Sequence, residues 1–225
     1  MDELSEIAAK YKTDKGCNRN GHHYTTYYDS VLNKYRSTIT RVLEIGIWQG
    51  ESLKMWSDYF YNAEVYGIDI EYKGHLNLGS IKTFVLDQAN KEDLKSFTEK
   101  IDKFDLIIDD GGHRMDQQQI TLAYMLDHLN KDGIYILEDL HTSLPLDEQK
   151  CDKDFGLNED GSNSTLLMLE QISNKEPYNE NLYISKNEYE NLLNKIDTIE
   201  IWNRKKTDGF ISITSVIRIK WKFVL

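Results

Sequence analysis

The sequence predicts a doubly wound α/β domain: a mostly parallel sheet of seven strands, covered by helices and ending in an antiparallel hairpin. Three observations predict it. Between Arg41 and Leu137, short apolar runs alternate with helical stretches, the pattern of successive βα units on a parallel sheet. Each of the five runs carries an acid at or just before its C-terminal end: Glu44, Asp69, Asp87, the pair Asp109-Asp110 and the pair Glu138-Asp139. The last two apolar runs, 198–202 and 210–220, are joined by the polar segment NRKKTDG, which suits a hairpin. Ligands of open α/β sheets sit beyond the carboxyl ends of the strands, so acids recurring at that end mark a binding edge.

The 225 residues, 40% of them hydrophobic, suffice for one large domain with a real core. A net charge of −11 argues against a nucleic-acid partner, which needs a dense basic face. Cys17 and Cys151 lie far apart in polar surroundings, as expected of a reducing compartment. No apolar run has membrane-spanning length and the acidic N-terminus is unlike a signal peptide, so no membrane partner and a cytoplasmic location are expected. The chain could also be one domain of a longer enzyme.

Residues 1–40 read as an N-terminal helical extension closing over the site, and 41–225 as the main domain. The extension has two helical stretches, LSEIAAKY and TTYYDSVLNKY, around a polar segment in which Asp14, Lys15, His22, His23 and Tyr24 could line a site. RVLEIGI (41–47) is the first strand and runs through Trp48-Gln49-Gly50 into the helix ESLKMWSDYF. The spacing Glu44-x-Gly46-x-x-x-Gly50 lets a ligand approach bare backbone but is not a pyrophosphate fingerprint. EVYGIDI (64–70) is the second strand. Its Asp69 follows Gly50 by 19 residues, the place from which an acid can accept both hydroxyls of a ribose. IKTFVL (81–86) leads to Asp87, and KEDLKSFTEKID (91–102) is an amphipathic helix.

FDLIIDDGGH (104–113) is the densest stretch chemically. Four apolar residues broken only by Asp105 make a buried strand, two carboxylates end it, two glycines allow a sharp turn, and His113 precedes a helix over 115–129. This looks like a site for a metal and a proton, although an Asp-rich βα loop with a helix cap would have the same composition. The turn NKDG then leads into IYIL (134–137), ending in Glu138-Asp139. Residues 140–162 form a polar loop of the length reserved for lids and binding loops. Helices over 163–173 and 186–193 precede the closing hairpin.

These residues resemble the class I S-adenosylmethionine-dependent methyltransferases, through LEIGIWQG, the GID end of the second strand, Asp87 and the final hairpin. More narrowly, YKTDKG, MWSDYF, DDGGH and the later ED pair are similar to the metal-dependent sugar O-methyltransferases of the mycinamicin and macrocin type. The resemblance runs from about Tyr11 to the C-terminus and implies a Rossmann-like methyltransferase fold. It further implies that Glu44, Gly46, Gly50, Ser52, Asp69, Asp87 and Asp109 contact S-adenosylmethionine, and that Asp110, Glu138 and Asp139 bind Mg²⁺ or Mn²⁺. His113 then corresponds to the general base, with Asp110 beside it, and Lys15, Tyr24 and His141 are candidate contacts to the acceptor. The long N-terminal region of the macrolide enzymes is largely missing.

The chemistry suits these groups. A sugar hydroxyl must lose its proton as it attacks a sulfonium methyl. A magnesium ion held by carboxylates can orient two vicinal oxygens and acidify one of them, and an imidazole can take the proton. His141 is a second candidate base. The expected function is therefore metal-dependent O-methylation of a sugar hydroxyl, such as that of rhamnose in a glycan or glycoside. Its alternatives are a catechol-type O-methyltransferase and a catalytically silent, cofactor-binding interaction module.

Overall fold

The structure is a computed structural model that describes residues 1–17, 21–145, 148, 154–205 and 211–220. Five strands, β1 (Arg41–Ile45), β2 (Glu64–Asp69), β3 (Ile81–Val85), β4 (Phe104–Asp109) and β5 (Leu129–Leu137), pair in parallel. Strands β6 (Ile196–Lys205) and β7 (Ile211–Ile219) complete a sheet of order β3-β2-β1-β4-β5-β7-β6, with β7 antiparallel to both neighbours. The strand order reverses between β1 and β4. That is where an open α/β sheet leaves a crevice for ligand.

Strand periodicity assigns the layers. Val42 of β1 points into one core and its neighbours Leu43 and Ile45 into the other. On the Val42 side pack α1 (Glu3–Tyr11), α2 (Tyr24–Leu32) and α3 (Glu51–Tyr59), around Trp56, Tyr24 and Tyr28, all fully buried. On the other side pack α4 (Lys91–Thr98), α5 (Met115–Met125), α6 (Thr165–Asn174) and α7 (Lys186–Lys195), around Phe97, Phe104 and Leu122. Capping by Asn90 at α4, Ser164 at α6 and Ser185 at α7 satisfies backbone donors that each first turn leaves over. Among the described residues no helix is long and apolar enough to cross a membrane.

Several boundaries differ from the sequence expectation. Helix α5 ends at Met125 and continues as a 3₁₀ turn over 126–128. Strand β5 begins at Leu129, because the expected turn is absorbed as an irregularity: Leu129 pairs with Phe104 and Ile134 with Leu106, with Asp132 left-handed between them at φ 60°. Strand β6 extends to Lys205, into the segment read as linker. Residues 206–210, the rest of that linker, and most of 146–153 of the long loop lie outside the described residues.

Asp105, the one acid inside the apolar run of β4, has a structural explanation. Its Oδ2 accepts from Thr40 N (2.8 Å), Thr40 Oγ1 (2.9 Å) and Arg41 N (3.0 Å), and its Oδ1 from Asn130 Nδ2 (2.7 Å). It thus ties the start of β1 to β4 and β5. Burial acts to raise its pKa, but these donors outweigh that and lower it. The stability it contributes is therefore present above its unfolded pKa and lost as pH falls through the folded value. Asp105→Ala should reduce unfolding free energy by about 1–2 kcal/mol at neutral pH, and denaturant melts should show that gap narrowing below about pH 4.

A carboxylate and imidazole centre at the strand edge

The ends of β4 and β5 meet because the two strands are adjacent and in register, Asp109 opposite Leu137. Beyond Asp109 the chain turns through Asp110, Gly111, Gly112 and His113. The left-handed residue of that turn is His113 (φ 58°), not a glycine. The glycines serve close packing: a Cβ on Gly111 would lie 1.8 Å from Gln88 Oε1, and one on Gly112 2.1 Å from Gln117 Oε1. Gln88 Oε1 accepts from Gly112 N (2.9 Å), so the turn is closed over a side-chain amide. Beyond β5, Asp139 is also left-handed (φ 55°). Two non-glycine residues held this way at one edge mark a functional constraint.

The two turns bring Asp110, His113 and Asp139 together, with one ligand atom of each within 4.8 Å of the others. His113 Nε2 lies 3.9 Å from Asp110 Oδ1 and 3.6 Å from Asp139 Oδ2. The other oxygen of Asp139 accepts from Tyr24 Oη (2.8 Å) and lies 3.4 Å from His22 Nδ1 and 3.7 Å from His141 Nδ1. Burial alone would raise the pKa of Asp139, but three imidazoles and a phenol hold it well below the carboxylate range. Asp110 and Glu138 are shifted the other way, chiefly by burial.

Glu138 stands apart from this group. Its Oε2 accepts from Lys15 Nζ (2.8 Å), and Lys15 also donates to Asp110 Oδ2. Its Oε1 is buried without a hydrogen-bond partner among the described residues. Such an orphaned carboxylate oxygen calls for a cation or an ordered water. With the hard oxygen donors of Asp110 and Asp139 alongside, the residues present fit a divalent cation.

A cavity of about 650 Å³ opens beside the centre. Gly46 and the loop residues Ile47, Trp48 and Gln49 define one wall. A Cβ on Gly46 (φ 83°) would collide with Asp110 O at 2.1 Å, so the first and fourth strand ends can approach only across a glycine. Of the expected cofactor residues, Gly46, Ser52, Asp69 and Asp87 line the cavity. Asp69 also braces the loop, its Oδ2 accepting from Ile47 N (2.9 Å) and Trp48 N (3.3 Å). Gly50 turns the loop into α3, where a Cβ would meet Leu76. Glu44 and Asp109 do not line the cavity. Glu44 is fully buried and accepts from Ser52 Oγ (2.8 Å) and Trp56 Nε1 (3.1 Å). Asp109 accepts from Tyr135 Oη (2.9 Å) and Gln88 Nε2 (3.1 Å). The expected acceptor contacts Lys15, Tyr24 and His141 are likewise buried and do not line the cavity; all three pack behind the carboxylates instead.

No family model matches the chain. Demethylmacrocin O-methyltransferase of Streptomyces fradiae is 35% identical over 148 residues, 63% of this chain and 37% of that protein. Mycinamicin VI 2''-O-methyltransferase of Micromonospora griseorubida is 34% identical over 148 residues, with the same coverage. Among solved structures, the MycE methyltransferase of the mycinamycin biosynthetic pathway, in complex with Mg and SAH, superposes with a TM-score of 0.75 at 25% identity, over 96% of this chain and 54% of that one. An O-methyltransferase from Bacillus cereus in complex with SAH shares the fold alone, with a TM-score of 0.57 at 11% identity, over 96% of this chain and 90% of that one. The chain carries the class I S-adenosylmethionine-dependent methyltransferase fold. In sequence it resembles the macrolide-type sugar O-methyltransferases, and it spans 37% of the length of the two relatives it matches there.

Several residues around the cavity carry little signal in the sequence. Gln88, which follows Asp87 directly, holds the DDGGH turn from below, and only its place at a strand end could have signalled this. Trp48 lines the cavity with its side chain exposed and its backbone left-handed (φ 49°). Lys12 and Thr13 line it from the N-terminal segment, beside Asp14, which the sequence already offers as a candidate site residue.

Glu44 gives this centre a pH dependence. Burial pushes its pKa up to about 7, against the opposing Lys15 ammonium. A carboxyl raised on folding contributes stability fully present below its unfolded pKa and lost as pH rises through the folded value. Thermal melts should therefore show the wild type losing on the order of 3 kcal/mol between about pH 4.5 and 7 through this group, and Glu44→Gln should flatten that decline.

Proposed function

We propose that the chain is an S-adenosylmethionine-dependent, divalent-metal-dependent O-methyltransferase acting on a sugar hydroxyl, with a deoxysugar such as rhamnose in a glycan or glycoside as the acceptor class. The observation that carries this reading is the convergence of His113 Nε2 with Asp110 and Asp139 beside a cavity of about 650 Å³. Two carboxylates and one imidazole at the carboxyl edge of a methyltransferase sheet are the groups that methylation of a poorly acidic hydroxyl requires. The likeness to the demethylmacrocin and mycinamicin VI O-methyltransferases, and to an 8-demethyl-8-alpha-L-rhamnosyl tetracenomycin-C 2'-O-methyltransferase, supports the same substrate class.

Asp110, Asp139 and Glu138 would hold the metal. When bound, it would orient vicinal sugar oxygens and acidify the reacting one. The cofactor supplies a sulfonium methyl that needs little further activation. Asp69, Asp87 and the Gly46–Gly50 backbone would bind it, leaving the acceptor to approach from the side of His113. His113 Nε2 takes the proton of the hydroxyl as the methyl carbon is attacked, and the carboxylates of Asp110 and Asp139 stabilise the imidazolium that results. Asp139 is held for this task by Tyr24 and flanked by His22 and His141. The Lys12–Asp14 segment walls the cavity on one side.

The test is transfer of a labelled methyl group to a panel of rhamnosides, other deoxysugar glycosides and catechols, with and without chelator. Transfer to glycosides should be abolished by chelator and restored by Mg²⁺ or Mn²⁺. His113→Gln should lower kcat by about two or more orders of magnitude with little change in cofactor binding, and His141→Ala should be far milder. Full turnover in excess chelator would contradict the metal role. A His113→Gln variant retaining more than about a tenth of wild-type kcat would contradict the base assignment.

A further inference from the structure

Lys15 is the least expected member of this centre. It lies in the polar segment after α1, yet its side chain is only 1% exposed and its ammonium sits among carboxylates from the ends of three strands. Nζ donates to Asp110 Oδ2 and Glu138 Oε2 and lies 3.7 Å from Glu44 Oε1. The backbone around it is fixed, with Thr25 N donating to its carbonyl (3.2 Å) and its own N–H to Thr13 Oγ1 (3.4 Å). A side chain so enclosed cannot swing out to meet an acceptor in the cavity, whose lining it does not join.

The division of oxygens is informative. Asp110 and Glu138 each give one oxygen to Lys15 and keep the other. The oxygen kept by Asp110 faces His113, and the one kept by Glu138 is buried without a hydrogen-bond partner among the described residues. Asp139, the third carboxylate, is hydrogen-bonded by Tyr24 instead. Asp110 and Glu138 thus each have an oxygen outside the hydrogen bonds of the Lys15 ammonium with which to meet a divalent cation. Asp110, Glu138, Asp139 and Glu44 together exceed the charge of one ammonium, which leaves negative charge for a divalent cation to meet. An ammonium this close repels the cation while aligning the carboxylates that bind it.

We propose that Lys15 is a positioning residue of the metal centre, a permanent counter-ion that shares Asp110 and Glu138 with the divalent cation, and by its charge keeps that cation exchangeable. The proposal rests on the metal reading above and makes a separate claim about affinity. Removing Lys15 should leave three carboxylates facing one cation, which then binds more tightly, whereas the metal-free protein loses the partner of one buried carboxylate, Glu138, and one half-buried one, Asp110.

The test is titration of the full chain with Mn²⁺, following free ion by electron paramagnetic resonance at one fixed pH for all variants. Wild type is compared with Lys15→Met and with the charge-balanced Lys15→Met/Glu44→Gln, which keeps the measurement possible if the single variant does not fold without metal. Both variants are expected to bind Mn²⁺ about tenfold or more tightly than wild type, and Mn²⁺ should raise their Tm by more than it raises that of wild type. A loss of packing alone would not tighten metal binding. Affinities within about threefold of wild type, or weaker, overturn the counter-ion role and leave the metal reading standing. A wild-type chain that binds no Mn²⁺ overturns both.

Discussion

Buried like charge is the constraint on which the rest of this structure depends. Asp110, Glu138 and Glu44 bring carboxylates from three strand ends into one desolvated space, an arrangement that is strongly unfavourable without compensation. The compensation comes from outside the sheet. Lys15, from the segment between α1 and α2, enters that space as the ammonium paired with Asp110 and Glu138. Tyr24, at the start of α2, does the same for Asp139 through its phenol. Burial of Trp56, Tyr28 and Leu4 holds those helices against α3, so part of the core serves to keep the charges answered. The N-terminal helices thus complete the electrostatics of the edge.

Part of the backbone strain gathers at the same edge. Trp48, His113 and Asp139 are all left-handed without being glycine, and all three lie at strand ends around one cavity. Each such residue is unfavourable by about 1 kcal/mol or more. The conformation at His113 aims an imidazole back toward the carboxylate three residues earlier. At Asp139 it presents one oxygen to His113 and the other to Tyr24. Glycines are kept where two chains must nearly touch, as at Gly46 against Asp110.

Much of this was legible in the sequence, for identifiable reasons. Alternating apolar runs and helical stretches determine a parallel sheet, and a parallel sheet collects its strand ends on one edge. Asp69, Asp87, Asp110, His113, Glu138 and Asp139 were therefore expected at that edge before any geometry was known. What a strand end does not reveal is which way its carboxylate turns. Glu44 and Asp109 share the edge, yet turn to Ser52 and Trp56 and to Tyr135 and Gln88 respectively. In sequence Lys15 is only one of several polar residues of its segment that could line a site. Its partners stand 95 and 123 residues away in the chain, beyond what any local pattern encodes. The left-handed turns were hidden because sequence assigns that conformation to glycine, and here Gly111 and Gly112 are spent on packing against Gln88 and Gln117 instead.

At the centre of this account is a divalent cation held between the DDGGH and ED turns. The most direct measurement is anomalous diffraction from crystals of the chain grown with Mn²⁺ and S-adenosylhomocysteine. The account predicts one strong peak at coordination distance from Asp110 Oδ1, Asp139 and the free oxygen of Glu138, with His113 Nε2 facing it and Lys15 still paired to Asp110 and Glu138. At saturating Mn²⁺, a peak elsewhere on the surface with none between these carboxylates would contradict it.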